Sequence, residues 1–251
     1  MKNLNVKNFR DIKGYVNHEG LVMKARMIYR GGPLNGLSEK EKKLIEKDLN
    51  IKYILDFRDE QEAQLMPDCS FDNIVYERIG ALIGSFKHQG FDFGNLLQGK
   101  MTEDKLHFLL DYIKDGYKHM AFDNPAYHRL FVLLLKNDGG VYFHCSAGKD
   151  RTGVAAFLIM MALDMNEEDA IQEYLLSNEY LKESNDTLCE QLQIPFELRK
   201  KCEPLLYVQK EFIDLTIESI KEKYQNYHEF FLQEYHLDSG KREKLKEIYC
   251  G

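Results

Sequence analysis

The residues most able to do chemistry lie in one run, VYFHCSAGKDRTGVAAF, at 141–157. Cys145 opens a short polar loop, Cys-Ser-Ala-Gly-Lys-Asp-Arg, and Arg151 closes it six residues on. VYF has the β-branched and aromatic content of a buried strand. VAAFLIMMAL, at 154–163, is apolar on every side, as befits a helix packed against a sheet. Strand, tight loop and helix is how open α/β sheets present a ligand at the carboxyl end of a strand. The loop then sits at a helix N-terminus, where unpaired N–H groups and the helix dipole favour an anion. Ser146, Ala147 and Gly148 let the backbone curl closely, Lys149 and Asp150 complete the ring, and Arg151 offers a planar fork for two oxygens. The predicted anion cradle, for phosphate or sulfate, is therefore 146–151.

A cysteine at the lip of such a cradle gains a role, because amides and a dipole that bind an anion also stabilise a thiolate. A thiolate beneath a bound phosphate is placed for in-line attack on phosphorus, which gives a cysteinyl-phosphate. Arg151 and the amides would hold the equatorial oxygens in the transition state. Thr152 can offer the sulfur a hydroxyl hydrogen bond, and His144 can orient the loop through its neighbours. This chemistry calls for no metal and no cofactor. A nucleotide-binding loop, G-x-x-x-x-G-K-[ST], is excluded because Phe143 and Asp150 stand where a glycine and a hydroxyl residue are needed. The plainer reading, Cys145 as a small buried hydrophobe, leaves Gly148, Arg151 and the strand–helix flanks unexplained.

His144-Cys145-x5-Arg151-Thr152-Gly153 resembles the signature of cysteine-dependent protein tyrosine phosphatases. Further segments are similar to the bacterial tyrosine/serine phosphatase family, which includes secreted phosphatases of intracellular pathogens with phosphoinositide activity. NFRDIKGY at 8–15 matches its N-F-R-D-x-G-G-Y opening, and YRGGPLNGLSEKE at 29–41 its Y-R-S-G-x-L element. ILDFRDEQE at 54–62 matches its strand-ending D-L-R element, and YLLSNEYL at 174–181 also corresponds. Two positions depart: Lys13 replaces the first glycine of G-G-Y, and Gly31 replaces the serine of R-S-G, which removes a hydroxyl from the pocket rim. The resemblance implies a phosphatase-like α/β fold with a central mixed sheet, flanking helices, an inserted helical lid over about 80–136 and a helical C-terminus. It implies a protein-tyrosine or dual-specificity phosphomonoesterase, with a phosphorylated protein as the first expected substrate. Phosphoinositides stay open, as does a phosphate-binding sensor that turns over poorly. Lipid phosphatases with A-G-K in this loop use the lysine to read extra negative charge, so Lys149 is either that reader or a solvated lysine.

The leaving group needs a general acid. The chain has no tryptophan, so the aspartate-beside-tryptophan loop of the eukaryotic-type enzymes is absent in its usual form. Three aspartates compete. Asp150 lies inside the cradle and comes first, since members of the resembled family carry K-D there. Asp56 ends a strand near the same sheet edge, although a structural carboxylate paired with Arg58 or Arg10 fits it better than catalysis does. Asp92 falls in the expected lid and reads best as a solvated loop residue.

The elements that must position these residues are legible in outline. Strands are expected at 25–30, 51–56 and 74–79, besides VYF. Ser38 with Glu41 forms a capping-box pattern for a helix over 39–48, and Asn166 caps one over 167–182. Helices are also expected at 103–115 and 117–136, with two or three more after Pro195. Residues 1–20 read as an irregular arm or hairpin, and Gly80, Gly84, Gly90, Gly94 and Gly99 mark a long loop. No linker is evident, so the chain reads as one domain over 1–251. The formal net charge is −7 with no long basic run, which speaks against a nucleic-acid partner. The longest apolar run, at 154–163, is too short to cross a bilayer, so no membrane insertion is expected. The N-terminus lacks an apolar signal core, and the cysteines are odd in number, scattered and without a C-x-x-C pair. These features point to a reducing, cytoplasmic setting, with secretion by a signal-independent route left open.

Overall fold

The computed structural model describes residues 4–81, 102–191 and 198–251. Its strands form one mixed sheet: β1 (Arg10–Asp11), β2 (Ile28–Gly31), β3 (Ile51–Asp56), β4 (Val75–Arg78) and β5 (Gly140–His144), in the order β1-β2-β5-β3-β4. β1 runs antiparallel to β2, and every other pair is parallel. The carboxyl ends align, with His144 opposite Gly31 on one side and Asp56 on the other. The register therefore delivers residues 31, 56 and 144 to one edge, immediately before the loop that starts at Cys145.

Side-chain alternation along the strands divides the core into two layers. Ile28, Leu55, Val141 and Phe143 face the larger cluster, while Tyr29, Ile54 and Tyr142 face a smaller one with Phe9, Leu34, Ile45 and Leu49. An irregularity in the β3–β5 register between Ile51 and Tyr53 puts Ile51 and Ile54 on the same side. The larger layer takes α5 (Asp150–Ala162), buried at every position from Thr152 to Ala162, as its apolar sequence requires. Helices thus cover both faces of a sheet that is nearly all parallel, the α/β class expected from the sequence.

Several boundaries differ from the sequence reading. α1 (Glu39–Lys43) has the expected Ser38–Glu41 capping box but continues as a π-helical turn, Leu44–Asp48. α2 (Glu60–Leu65) is an additional helix, with Asp59 and Glu62 making its capping box. Gly116 does not break the next helix: α3 runs unbroken over Glu103–His119. The break comes at Asn124, which caps α4 (Pro125–Lys136), with the proline at the first turn where its missing N–H costs nothing. The expected helix at 167–182 is two, α6 (Glu167–Leu175) and α7 (Ser177–Gln191). The chain ends in α8 (Glu203–Leu206), α9 (Lys210–Lys223), α10 (Tyr227–Tyr235) and α11 (Ser239–Tyr249), more helices than the sequence suggested. Of the expected arm or hairpin over 1–20, the described residues 4–20 supply β1 and one side of an isolated antiparallel bridge between Val16 and Val22. Most of the expected glycine-rich lid segment, residues 82–101 with Asp92, lies outside the described residues.

Candidate active site

Cys145 follows β5 directly and is 3% exposed. Residues 146–149 bend, and α5 begins at Asp150. Gly148 has φ +66°, and a Cβ there would collide with the Gly31 carbonyl, so the bend admits only glycine. The outer side of the loop is held by two residues from far away in the chain. Asn8 Nδ2 donates to the carbonyls of Ala147 (3.3 Å) and Gly148 (2.7 Å). The Arg30 guanidinium donates to the carbonyls of Gly148 (2.8 Å) and Lys149 (3.5 Å). In a trans peptide the C=O and the next N–H point in opposite directions. Drawing these three carbonyls outward therefore turns the N–H groups of Gly148, Lys149 and Asp150 toward the hollow of the loop.

Both holding residues are themselves fixed. Glu173 of α6 accepts from Arg10 Nε and from an Arg30 terminal nitrogen, each at 2.6 Å. Ser177 Oγ accepts from both arginines, at 3.1 and 3.3 Å. Arg10 also donates to the Asn8 side-chain oxygen. NFRD and YRG are thus not decoration around the loop; they form the framework on which it is bent.

Arg151 sits at the loop's far end with its side chain nearly buried. Its two terminal nitrogens donate to the two carboxylate oxygens of Glu62, each at 2.6 Å. Ser146 Oγ donates to the same carboxylate at 2.6 Å and accepts from Arg151 at 3.3 Å. Burial alone would raise the Glu62 carboxyl, but the Arg151 charge and hydrogen bonds, with Ser146, outweigh it and hold the group at about 2. Burial would lower Arg151, and the Glu62 carboxylate instead pushes it well above its ordinary value. Both terminal nitrogens of Arg151 are thus engaged, one of them also donating to the Phe57 carbonyl at 3.3 Å.

The candidate acids separate clearly. Asp150, with a side chain 28% exposed, accepts a hydrogen bond from Tyr117 (2.8 Å) and lies 3.5 Å from Lys149 Nζ. Tyr117 in turn shares a 2.7 Å hydrogen bond with Tyr174, and burial raises both phenols well above their ordinary range. Asp56 has no exposure; Arg58 donates to it from its backbone N (2.9 Å), Nε (2.9 Å) and a terminal nitrogen (2.8 Å), and Tyr76 adds another at 2.7 Å. Its partner is Arg58, not Arg10, and its oxygens are taken up inside the fold, as a structural carboxylate's would be. Lys149 is buried, and its Nζ donates to the Leu205 carbonyl of α8 at 2.8 Å. The solvated-lysine reading is therefore wrong.

Of the two supporting residues, Thr152 differs from expectation. Thr152 is fully buried and its hydroxyl has no partner among the described residues, so the expected bond to the Cys145 sulfur is not made. His144 is buried, its ring stacks on Tyr142 (5.5 Å between centroids), lies 3.3 Å from Asp68 and approaches the Cys145 carbonyl at 3.2 Å. Asp56, Asp68 and His144 bring donor atoms within 4.8 Å of one another, a spacing that suits a metal ion. The Arg58 guanidinium already binds both carboxylates, Asp68 at 2.6 Å, and fills the role a cation would have there. Sequence reasoning missed Glu62, Asp68 and Glu173. The capping-box spacing Asp59–Glu62 is a readable signal for α2, but nothing local announces that Glu62 also reaches Arg151.

The whole chain, residues 1–251, matches the profile of the tyrosine phosphatase family. It is 30% identical over 138 residues to a tyrosine-protein phosphatase of Nostoc commune, covering 53% of this chain and 42% of that protein. It is 25% identical over 224 residues to a putative tyrosine-protein phosphatase of Cupriavidus necator, covering 86% and 76%. A triple specificity protein phosphatase, PtpB of Mycobacterium tuberculosis, is 29% identical over 105 residues, covering 41% and 38%. The matches to the first and third thus span less than half the length of those relatives. Among solved structures, PTPMT1 in complex with PI(5)P aligns with TM-score 0.36 and 12% identity, over 79% of this chain and 96% of that one. P. aeruginosa TpbA in complex with pTyr aligns with TM-score 0.29 and 14% identity, over 61% and 70%. Likenesses this low carry no argument about substrate. Among the described residues, no helix is long and apolar enough to cross a membrane.

Proposed function

The chain belongs to the tyrosine phosphatase family, and from that membership and the geometry of residues 145–151 we propose that it is a phosphomonoesterase working through a cysteinyl-phosphate. The observation that carries the reading is that the carbonyls of three successive residues, 147–149, are held outward, which aims the amides of 148–150 inward at the start of a buried helix, with Cys145 at one end of the bend and Arg151 at the other. That arrangement favours a tetrahedral dianion over water or a monoanion.

In the proposed reaction the Cys145 thiolate attacks phosphorus in line, the P–O bond to the leaving group breaks, and Asp150 gives that oxygen its proton. Water, deprotonated by the Asp150 carboxylate so formed, then attacks phosphorus, breaks the P–S bond and releases phosphate. Tyr117 holds one Asp150 oxygen and Lys149 lies 3.5 Å from the other, so the carboxyl is fixed at the cradle from two sides. Glu62 keeps the Arg151 plane from rotating as the phosphoryl oxygens spread in the transition state.

A phosphorylated protein, with phosphotyrosine first, is the proposed substrate class. The commitment of Lys149 to the Leu205 carbonyl and Asp150 favours this over a polyphosphorylated inositol headgroup, which needs a free cation beside the cradle. The test is hydrolysis of p-nitrophenyl phosphate by wild type and Cys145→Ser, followed by phosphotyrosine, phosphoserine and phosphoinositide substrates. Turnover abolished in Cys145→Ser, with preference for phosphotyrosine, supports the reading. No turnover by well-folded wild type would favour the phosphate sensor instead.

A further inference from the structure

We propose that the anion affinity of the loop is set from behind: Asn8, held by Arg10, and Arg30, with both arginines tied to Glu173, are positioning residues that aim the amides of Gly148, Lys149 and Asp150 at a bound phosphoryl group. The identity of the anion rests on the phosphatase reading above; the positioning itself does not.

The loop's own side chains do not hold its carbonyls. The donors come from sequence separations of 118 to 140 residues, on the N-terminal arm and on β2. The Gly148 carbonyl receives two of them, at 2.7 and 2.8 Å, so both its lone pairs are engaged and the 148–149 peptide has little freedom to flip. A flipped peptide would present a carbonyl dipole, not an N–H, to a bound anion. The clamp thus decides the sign of the local field as well as its shape.

The charges behind the loop act in the same sense. Arg10 and Arg30 face a single carboxylate, Glu173, and Ser177 and Asn8 are neutral, so the buried group carries a net positive charge. Arg30 has no exposure, and its guanidinium is pushed down to about 10 by burial and by Arg10, against the pull of Glu173. Its Nε–H has no partner among the described residues. A structural strut could be built from apolar side chains without these costs. A cation placed under an anion-binding loop gains its value when the anion arrives.

Asn8 allows a clean test. Its φ is +56°, a region that asparagine, aspartate and glycine tolerate and alanine does not. N8D keeps the shape and replaces the amide donor by an acceptor facing two carbonyls; N8G removes the side chain without backbone strain. Phosphate binding is measured by calorimetry in the Cys145→Ser background, kcat and KM for p-nitrophenyl phosphate in the parent, and thermal unfolding for all. Phosphate affinity should fall about 10-fold in N8G and about 100-fold in N8D, with kcat/KM falling by similar factors. A strut without influence on the amides would lower the melting temperature and leave the affinity of the folded fraction unchanged; that result overturns the proposal. Amide spectra of the wild type give a second test that needs no variant. On phosphate addition the Gly148, Lys149 and Asp150 N–H signals should move downfield together, and binding that leaves them in place also overturns it. If wild type binds phosphate but hydrolyses nothing, while N8G and N8D lose affinity as stated, the phosphatase reading falls and the clamp stands. If wild type is active and N8D binds phosphate normally, the clamp falls alone.

Discussion

Glu62 and Arg151 meet edge to edge: each carboxylate oxygen accepts from a different terminal guanidinium nitrogen, both at 2.6 Å. The contact joins α2 to the first turn of α5. It also explains why Arg151 can lie nearly buried beside a loop built to attract negative charge. The guanidinium's charge is balanced by the Glu62 carboxylate.

Replacing Glu62 by glutamine should therefore cost both order and charge balance. The carboxyl moves from 4.5 in water to about 2 in the fold, so its ionised form is favoured by folding. That contribution is complete above about pH 4.5 and is lost as the pH falls toward 2. At pH 7, E62Q should be about 2–3 kcal/mol less stable than wild type. The difference in thermal midpoint should hold steady from pH 8 to 5 and shrink between about pH 4.5 and 2. A gap that does not narrow in acid would show that the pair contributes nothing through ionisation.

Asp150 and Asp56 make opposite predictions. Asp150 is partly exposed in the cradle, whereas Asp56 is sealed under Arg58 and Tyr76. D150N should slow turnover of phosphotyrosine, whose leaving group needs protonation, by about 10²–10³-fold and slow p-nitrophenyl phosphate much less. D56N should instead destabilise the fold by about 3–5 kcal/mol, because Arg58 loses a charged partner, with no dependence on leaving group. A leaving-group series on both variants, run beside chemical denaturation, separates these outcomes. Leaving-group dependence in D56N and none in D150N would reverse the assignment.

How much of this is legible in the sequence follows from the range of each interaction. The loop can be read because strand, small residues and apolar helix are contiguous, and its chemistry depends on residues within seven positions of one another. The strands that carry it are read from β-branched and aromatic runs. The rear clamp can be recognised only as matching motifs, NFRD, YRG and the segment holding Ser177, since Asn8 and Gly148 are 140 positions apart. The Glu62–Arg151 pair escapes sequence reading for the same reason: a glutamate three residues after an aspartate reads as a helix cap, which it is, and its second role exists only in the fold. The helix break falls at 124 and not at 116 because glycine is only weakly unfavourable inside a helix, whereas Asn124-Pro125 is a strong start signal.

Gly31, where the resembled family's motif carries serine, has a local cause in this chain. A Cβ at 31 would lie 2.6 Å from the Tyr142 hydroxyl and 3.1 Å from the Phe9 Cα. Tyr142 donates to the Gly32 carbonyl, so its hydroxyl is pinned in the space a serine would use. G31S should destabilise the protein by about 1–3 kcal/mol, and adding Y142F should recover part of that loss. A double-mutant cycle by urea unfolding measures the coupling. Strictly additive effects would mean that Tyr142 is not what excludes the side chain.

Lys149 offers the sharpest test of substrate class. Its ammonium group donates to the Leu205 carbonyl and lies beside Asp150, and the side chain is buried beneath that contact. A lysine that reads a second phosphate must swing toward solvent, and here doing so would break a 2.8 Å hydrogen bond and abandon a backbone carbonyl. Leaving such a carbonyl unsatisfied costs about 1–3 kcal/mol, which offsets much of what a partly screened phosphate contact returns. K149M should therefore lower kcat/KM for phosphotyrosine peptide and for a phosphoinositide by the same factor, within about threefold. Its common effect would come through Asp150, which loses the nearby positive charge. A loss confined to the phosphoinositide would mean that Lys149 leaves Leu205 when the headgroup binds, and the preference for phosphoprotein would have to be given up.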